Sequence, residues 1–144
     1  MDDPFNLERF VTAQDAGGPP GTYERALDEL RAGFKSSHWM WFVFPQIAGL
    51  GHSPTARRYA ISSLAEAAAY LEHPVLGPRL RESARILGSL KGRSADQIFG
   101  GIDAMKLRSS MTLFQHAEPD EPVFGKILER YFDGVADAAT DARI

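Results

Sequence analysis

Two segments hold residue types whose spacing could support chemistry. The first is KSSHWMWFVFPQIAGLGHSPTARRY, residues 35–59. Lys35, His38, Trp39, Trp41 and Gln46 crowd there ahead of a Gly49–Leu50–Gly51 turn and a helix start at Ser53. Flat indole faces beside an amine, an imidazole and a carboxamide suit a planar ring, stacked on its face and hydrogen-bonded at its edge. The GLGHS turn delivers the chain into a helix N-terminus, which carries free N–H groups and about half a positive charge. Its glycines would let the backbone approach an anion closely. Arg57 and Arg58 sit within the second turn of that helix, where they oppose the dipole unless something negative is near. The second segment is DAMKLRSS. On a helix Asp103, Lys106 and Ser110 fall on one face, so Lys106 could bind a phosphate or keep a serine nucleophilic.

Each feature also has a plainer reading. Trp39, Trp41, Phe42 and Phe44 bring large apolar area and suit a core, although each buried indole N–H needs an acceptor. His38 can be a capping or packing histidine, and Gln46 after Pro45 a turn-stabilising amide. Arg57 and Arg58 can pair with acidic neighbours or reach solvent, and Asp103 with Lys106 can be a surface ion pair. Taken together, the residues define an expected ligand set of Lys35, His38, Trp39, Trp41, Gln46, Gly49, Gly51, Ser53, Arg58, Asp103, Lys106 and Ser110. In that set Arg57 or Arg58 shares an anion-accepting space with Lys106 and the Gly49–Gly51 turn. The two tryptophans should differ in burial, with at least one at a cavity wall.

Known catalytic signatures are missing. There is no H-E-x-x-H, no phosphate loop ending in Gly-Lys-Ser/Thr and no dinucleotide glycine fingerprint after a strand. The four histidines, at 38, 52, 73 and 116, lack metal-ligand spacing, and no cofactor is expected.

The elements that must position these residues are helices. Asp3 and Pro4 start the first, with Phe5, Leu7, Phe10 and Val11 as its apolar face, and AGGPPG at 16–21 breaks it. Thr22 caps the second, whose Tyr23, Ala26, Leu27, Leu30 and Phe34 recur at helical spacing. WMWFVF is apolar on both faces. With no other strand to pair with, it is expected to be a short buried helix stopped by Pro45. Ser53 and Pro54 open a third long helix expected to run through SSLAEAAAYLEH to His73-Pro74. A fourth follows to Lys91-Gly92. Ser94 then caps one helix or two, because Gly100-Gly101 weakens the middle. Pro122 opens the last, with Gly134 beyond its end, and residues 135–144 are expected to be a frayed or disordered tail. The fold class is therefore all-α: a single compact domain over 1–134, with about six or seven short helices in an irregular bundle, and a C-terminal tail over 135–144.

Composition narrows the setting. A chain of 144 residues with 44% hydrophobic and 24% charged residues suits one globular domain. It has no cysteine, so disulfides and thiolate metal sites are excluded and a reducing, cytoplasmic setting fits. The start is acidic where a signal peptide is basic. The longest fully apolar run, Trp39 to Phe44, is far too short for a membrane span. A net charge of −3 argues against an extended nucleic-acid surface.

ELRAGFKSSHWMWFVFPQIAGLGHSPTARRYAI, EAAAYLEHPVLGPRL, FGGIDAMKLRSSMTLF and ILERYFDG together resemble an uncharacterised bacterial family. It is the one numbered 1810 among the domains of unknown function. The resemblance covers nearly the whole chain, and GGPPG looks like a local lengthening of its first loop. It implies a compact, mainly helical fold with no settled activity. Some members are labelled calpastatin. That label does not fit a chain with a core to bury, since calpastatin's inhibitory repeats are polar and disordered. Two functions remain: a site for a phosphate-bearing or otherwise anionic, ring-containing, nucleotide-like small molecule, in a binding protein or an enzyme; or a protein-interaction scaffold without catalysis. Neither reading fixes an oligomeric state.

Overall fold

A computed structural model describes residues 2–144. Among the described residues the chain forms ten helices and no strand, six of them eight residues or longer. They are α1 (Glu8–Asp15), α2 (Thr22–Ala32), α3 (Met40–Val43), α4 (Pro54–Arg58), α5 (Leu64–Glu72), α6 (Leu76–Ser89), α7 (Ala95–Phe99), α8 (Gly101–Ala117), α9 (Pro122–Phe132) and α10 (Ala138–Asp141). The longest, α8, runs through the middle and packs on α5, α7, α9 and α10, while α6 closes against α2, α5 and α9. Leu107, Met111 and Phe114 of α8 meet Tyr70, Leu80, Leu87, Phe124 and Ile127 in one apolar core. The all-α expectation holds.

Helix ends follow local chemistry. The Asp3 carboxylate accepts from the amides of Leu7 and Glu8, which starts α1 four residues later than its apolar pattern implies. Gly33 ends α2 in the left-handed region at φ 73°, returning amides to Leu30 and Glu29. Ser94 and Gln97 form a reciprocal capping box on α7, and Gly100 separates α7 from α8. Thr22 is the first residue of α2 rather than its cap, and its hydroxyl donates to Ala16. Within WMWFVF, Met40–Val43 form α3, short and ended before Pro45 as expected, with Met40 and Val43 buried and Trp41 and Phe42 half-buried.

One expectation is corrected. The helix from Ser53 does not run on to His73. It stops at Arg58, crosses in a non-helical stretch, and restarts at Leu64 under a Ser63 cap. Ile61 pairs with the 46–48 segment, donating to Gln46 and receiving from Ala48, both at 2.8 Å. The carbonyls freed from the helix go to Arg9, which bonds Arg58, Ala60 and the buried Glu66 at 2.8 Å each. The C-terminal segment carries the short helix α10 and lies against α8: Asp137 donates its amide to Thr112 Oγ1, Arg108 reaches the Val135 carbonyl, and Asp137 caps α10, with Thr140 buried. Polar side chains on α8 anchor this segment where apolar periodicity is weak.

Candidate functional site

The α2–α3 connection is built around one carboxylate. Glu29 accepts from the amides of Ser36 and Ser37, the Ser37 hydroxyl and the Trp39 indole N–H, the last at 2.9 Å. Burial alone would raise its pKa, but these donors hold it below the ordinary glutamate value. Trp39 can therefore be buried, at 1% exposure, with its N–H satisfied. Trp41, two residues on, is half-buried and faces the other way, lining a cavity. The two indoles differ in burial as expected.

A ladder of charges joins them. Lys35 Nζ lies 5.3 Å from the Trp39 ring centroid and pairs with Asp103 Oδ2 at 2.8 Å. Asp103 Oδ1 takes Lys106 at 3.2 Å, and Lys106 Nζ lies 3.9 Å over the Trp41 ring. Burial would raise the Asp103 pKa, but the two lysines together hold it below the ordinary value. Two ammonium groups share one carboxylate, which leaves one positive charge in excess at a partly desolvated place. The Lys35 side chain is only 8% exposed.

The cavity beside this ladder has a volume of about 270 Å³. Trp41 and Gln46 form one wall, Lys106 and Ser109 of α8 another, and Asp137 with Ala139 from the C-terminal segment a third. Gln46 is 9% exposed, and its Nε2 is buried with no hydrogen-bond partner, while its main chain is fixed by the bond from Ile61. An unmet buried donor of this kind costs about 1–3 kcal/mol. Asp137 accepts the Ser109 hydroxyl and both the amide and hydroxyl of Thr140, all on Oδ2. The mouth is apolar: Ile102 and Met105 are 75% and 70% exposed at its rim. The arrangement offers an aromatic face, an ammonium, a carboxamide donor and a carboxylate around one small space.

Of the expected ligand set, Trp41, Gln46, Gly51 and Lys106 line this cavity. Asp103, Lys35 and Trp39 stand behind its wall as the ladder. The others lie apart. His38 is exposed. Ser53 spends its Oγ on the Ala56 amide, capping a helix of five residues, too short to gather a useful dipole. Arg57 and Arg58 are exposed and do not line the cavity; Arg58 stacks on Tyr59 with its guanidinium carbon 5.5 Å from the ring. The cation against the glycine turn is Arg143: a Cβ added to Gly49 would stand 2.6 Å from its Nη1. Gly51 is glycine because a Cβ there would meet Ala56 Cβ at 2.8 Å, a packing demand. Ser110 is fully buried among the core residues of α8, its Oγ without a partner. Ser109, three residues after Lys106, takes the cavity position instead.

The residues that sequence reasoning missed are Ser109, Asp137, Glu29 and the Ile102–Met105 rim. Ser109 was legible from the three-residue step after Lys106. A buried indole called for an acceptor, which pointed to an acid without saying which. Nothing local marks Asp137 as a neighbour of α8. Among the described residues no group of three or more histidines and carboxylates is placed to hold a metal ion. No helix among them is long and apolar enough to cross a membrane.

Comparison with known proteins adds a family without an activity. Residues 4–144 match the model of a family described as protein of unknown function (DUF1810). The fold is similar to the crystal structure of the conserved hypothetical protein Rv1873 from Mycobacterium tuberculosis. That match has 52% identity, a TM-score of 0.92, and coverage of 97% of this chain and 96% of that one. No curated protein matches.

Proposed function

We propose that this chain, which belongs to the DUF1810 family of proteins of unknown function, binds a small anionic molecule carrying a planar ring. The single observation that carries this reading is Gln46, a residue of the cavity between Trp41 and Lys106 whose Nε2 is buried without a hydrogen-bond partner. A small turn of the carboxamide toward a ligand acceptor in the cavity would remove the cost of that orphaned donor. The anionic part follows from the Lys35–Asp103–Lys106 ladder, where two ammonium groups share one carboxylate: Asp137 across the cavity spends its Oδ2 on Ser109 and Thr140 and pairs with neither lysine, so a bound carboxylate or phosphate would be the second partner of Lys106. The ring follows from Trp41, whose face is covered by Lys106 and suits stacking once that side chain turns to the anion. A volume of about 270 Å³ admits a mononucleotide-sized or smaller molecule. The cysteine-free composition fits work in a reducing cytoplasm.

The test is a panel of nucleoside monophosphates, sugar phosphates and aromatic carboxylates, read by thermal shift and by Trp fluorescence. A ligand at about 100 times its dissociation constant adds ~2.7 kcal/mol of stability. The binder should lose at least about tenfold in affinity when Gln46→Leu removes the donor, close to the ~1.4 kcal/mol of one hydrogen bond. Trp41→Phe should weaken it and abolish the fluorescence change. Ligands that bind Gln46→Leu and Lys106→Ala as tightly as the wild type would defeat the proposal.

A further inference from the structure

Apart from that cavity, α6 and α9 leave an open groove of about 850 Å³. Its floor lies over Ala84, Val123 and Ile127, which are buried, and its accessible apolar surface comes from Gly88 and Pro122; a Cβ at Gly88 would rest 3.7 Å from Ile127 Cδ1. Its rims are basic. Arg85 stands on the α6 side, and Lys126 and Arg130 stand one turn apart on α9. All three are exposed, and none forms an ion pair among the described residues. Of the two carboxylates on the groove, Glu121 is already bonded to Arg81 at 3.1 Å, so only Glu129 opposes them. The groove thus carries an excess of two positive charges on a chain whose net charge is −3. This concentration of unpaired cations along an apolar floor runs against the electrostatics of the rest of the molecule.

We propose that this groove docks an acidic amphipathic helix of another protein, with apolar side chains on the floor and carboxylates against Arg85, Lys126 and Arg130. Charge complementarity decides the sign of the partner. Geometry decides its conformation. The walls are helices whose main-chain groups are spent internally, so an extended strand would find no ladder to join. A helix satisfies its own backbone, and a ridge of its side chains fits between two packed helices. The cations are spread over both rims and along about 6 Å of α9. That spacing matches several carboxylates one turn apart better than a single anionic head group.

The experiment pans the whole protein against phage carrying random peptides of about 14 residues, roughly four helical turns. Enriched peptides should be net acidic, with apolar residues at i and i+3 or i+4, and should shift amide resonances of α6 and α9. The double variant Lys126→Glu/Arg130→Glu should bind them at least about tenfold more weakly, and panning that variant should remove or invert the acidic bias. Gly88→Leu, which fills the floor and leaves every charge in place, should weaken the same peptides, with an unchanged circular dichroism spectrum confirming the fold. Enrichment of neutral or basic peptides, resonance shifts elsewhere, failure to enrich any binder, or indifference to the charge reversal would each overturn the proposal. So would a concentration-dependent dimer broken by the charge reversal, since the occupant would then be a second copy of this chain.

Discussion

Replacing Asp103 by alanine should move stability and anion response in opposite directions. Asp103 gives one oxygen to Lys35 at 2.8 Å and the other to Lys106 at 3.2 Å. Removing one partner of a buried pair costs about 3–5 kcal/mol, because the remaining charge is left desolvated. The Lys35 side chain is 8% exposed, but Asp103 and Lys106 each keep 19%, so water recovers part of the loss. We expect about 3 kcal/mol, or roughly 6–12 °C in Tm for a domain of this size. Asp103→Asn should lose nearly as much. An amide has one oxygen, so one lysine would face an NH2 group instead of an acceptor. The same variants leave two ammonium groups without a carboxylate, so phosphate or an aromatic carboxylate should raise Tm more than in the wild type at equal ionic strength. Differential scanning calorimetry with and without the anion reads both effects. A Tm within about 2 °C of wild type would mean the ladder is a solvated surface cluster. An unchanged anion response would refute the charge-excess argument even if stability falls.

Glu29→Ala should lower the urea midpoint by an amount equivalent to about 2–3 kcal/mol, because the buried Trp39 indole and two amides lose their acceptor; Glu29→Gln, which keeps an oxygen for the indole, should cost about half, and equal losses would show that the indole bond is not the main contribution. Glu29 and Asp103 both have depressed pKa values in the folded state, so the stability they contribute is fully present above the ordinary carboxylate range and falls away as pH drops through their folded pKa values; the wild type should therefore lose Tm faster below about pH 4 than the Glu29→Gln/Asp103→Asn double variant, and parallel curves would contradict it. Gly77→Ala should be severely destabilising, since its Cβ would stand 2.1 Å from the Leu71 carbonyl oxygen, whereas Gly88→Ala, with only Ile127 at 3.7 Å, should be neutral or gain up to about 1 kcal/mol of helix propensity; similar Tm values for the two would show that the close approach is relieved by backbone shifts.

Most of the helices were legible because their signals are local. Ser94, Pro122, Gly100 and Gly134 mark ends by chemistry confined to a few residues, and α2, α6 and α9 show clear apolar faces. The break after Arg58 was legible only in part. Ser63 with Glu66 three residues later is a second start signal inside an alanine-rich run that favours helix throughout. What decides for the break is tertiary: Ile61 pairs with the 46–48 segment and Arg9, about fifty positions earlier, takes the freed carbonyls. The contacts of the tail were not legible for a related reason. VADAATDARI has little to bury, and it is held by Thr112, Ser109 and Arg108, residues whose own pattern reads as an unremarkable stretch of α8.

The site divides along the same line. Trp39 and Trp41 lie two residues apart at the start of a helical turn, about 200° around its axis, so both cannot face one core. One indole had to be buried on an acceptor and the other turned toward a surface or a cavity, and the sequence carries that much. It also carries the Asp103–Lys106 step, since three residues on a helix are neighbours. Which anion-binding device the proposed site would use was not legible, because the two candidates look alike in one dimension. Glycines before a helix cap suggest a backbone site, yet Gly51 and Gly49 serve close packing against Ala56 and Arg143, and the helix they precede is one turn long. The side-chain site needs Lys35 from the α2–α3 connection, Gln46 held by Ile61, Lys106 from α8 and Asp137 from the segment after α9. Three of these stretches line one cavity, with Lys35 behind its wall, only because α8 lies at the centre of the bundle and the C-terminal segment folds back along it. A contiguous motif can be read from spacing. A site assembled from separate stretches around a central helix is fixed by packing, and its residues show themselves in sequence only as separately unremarkable polar positions.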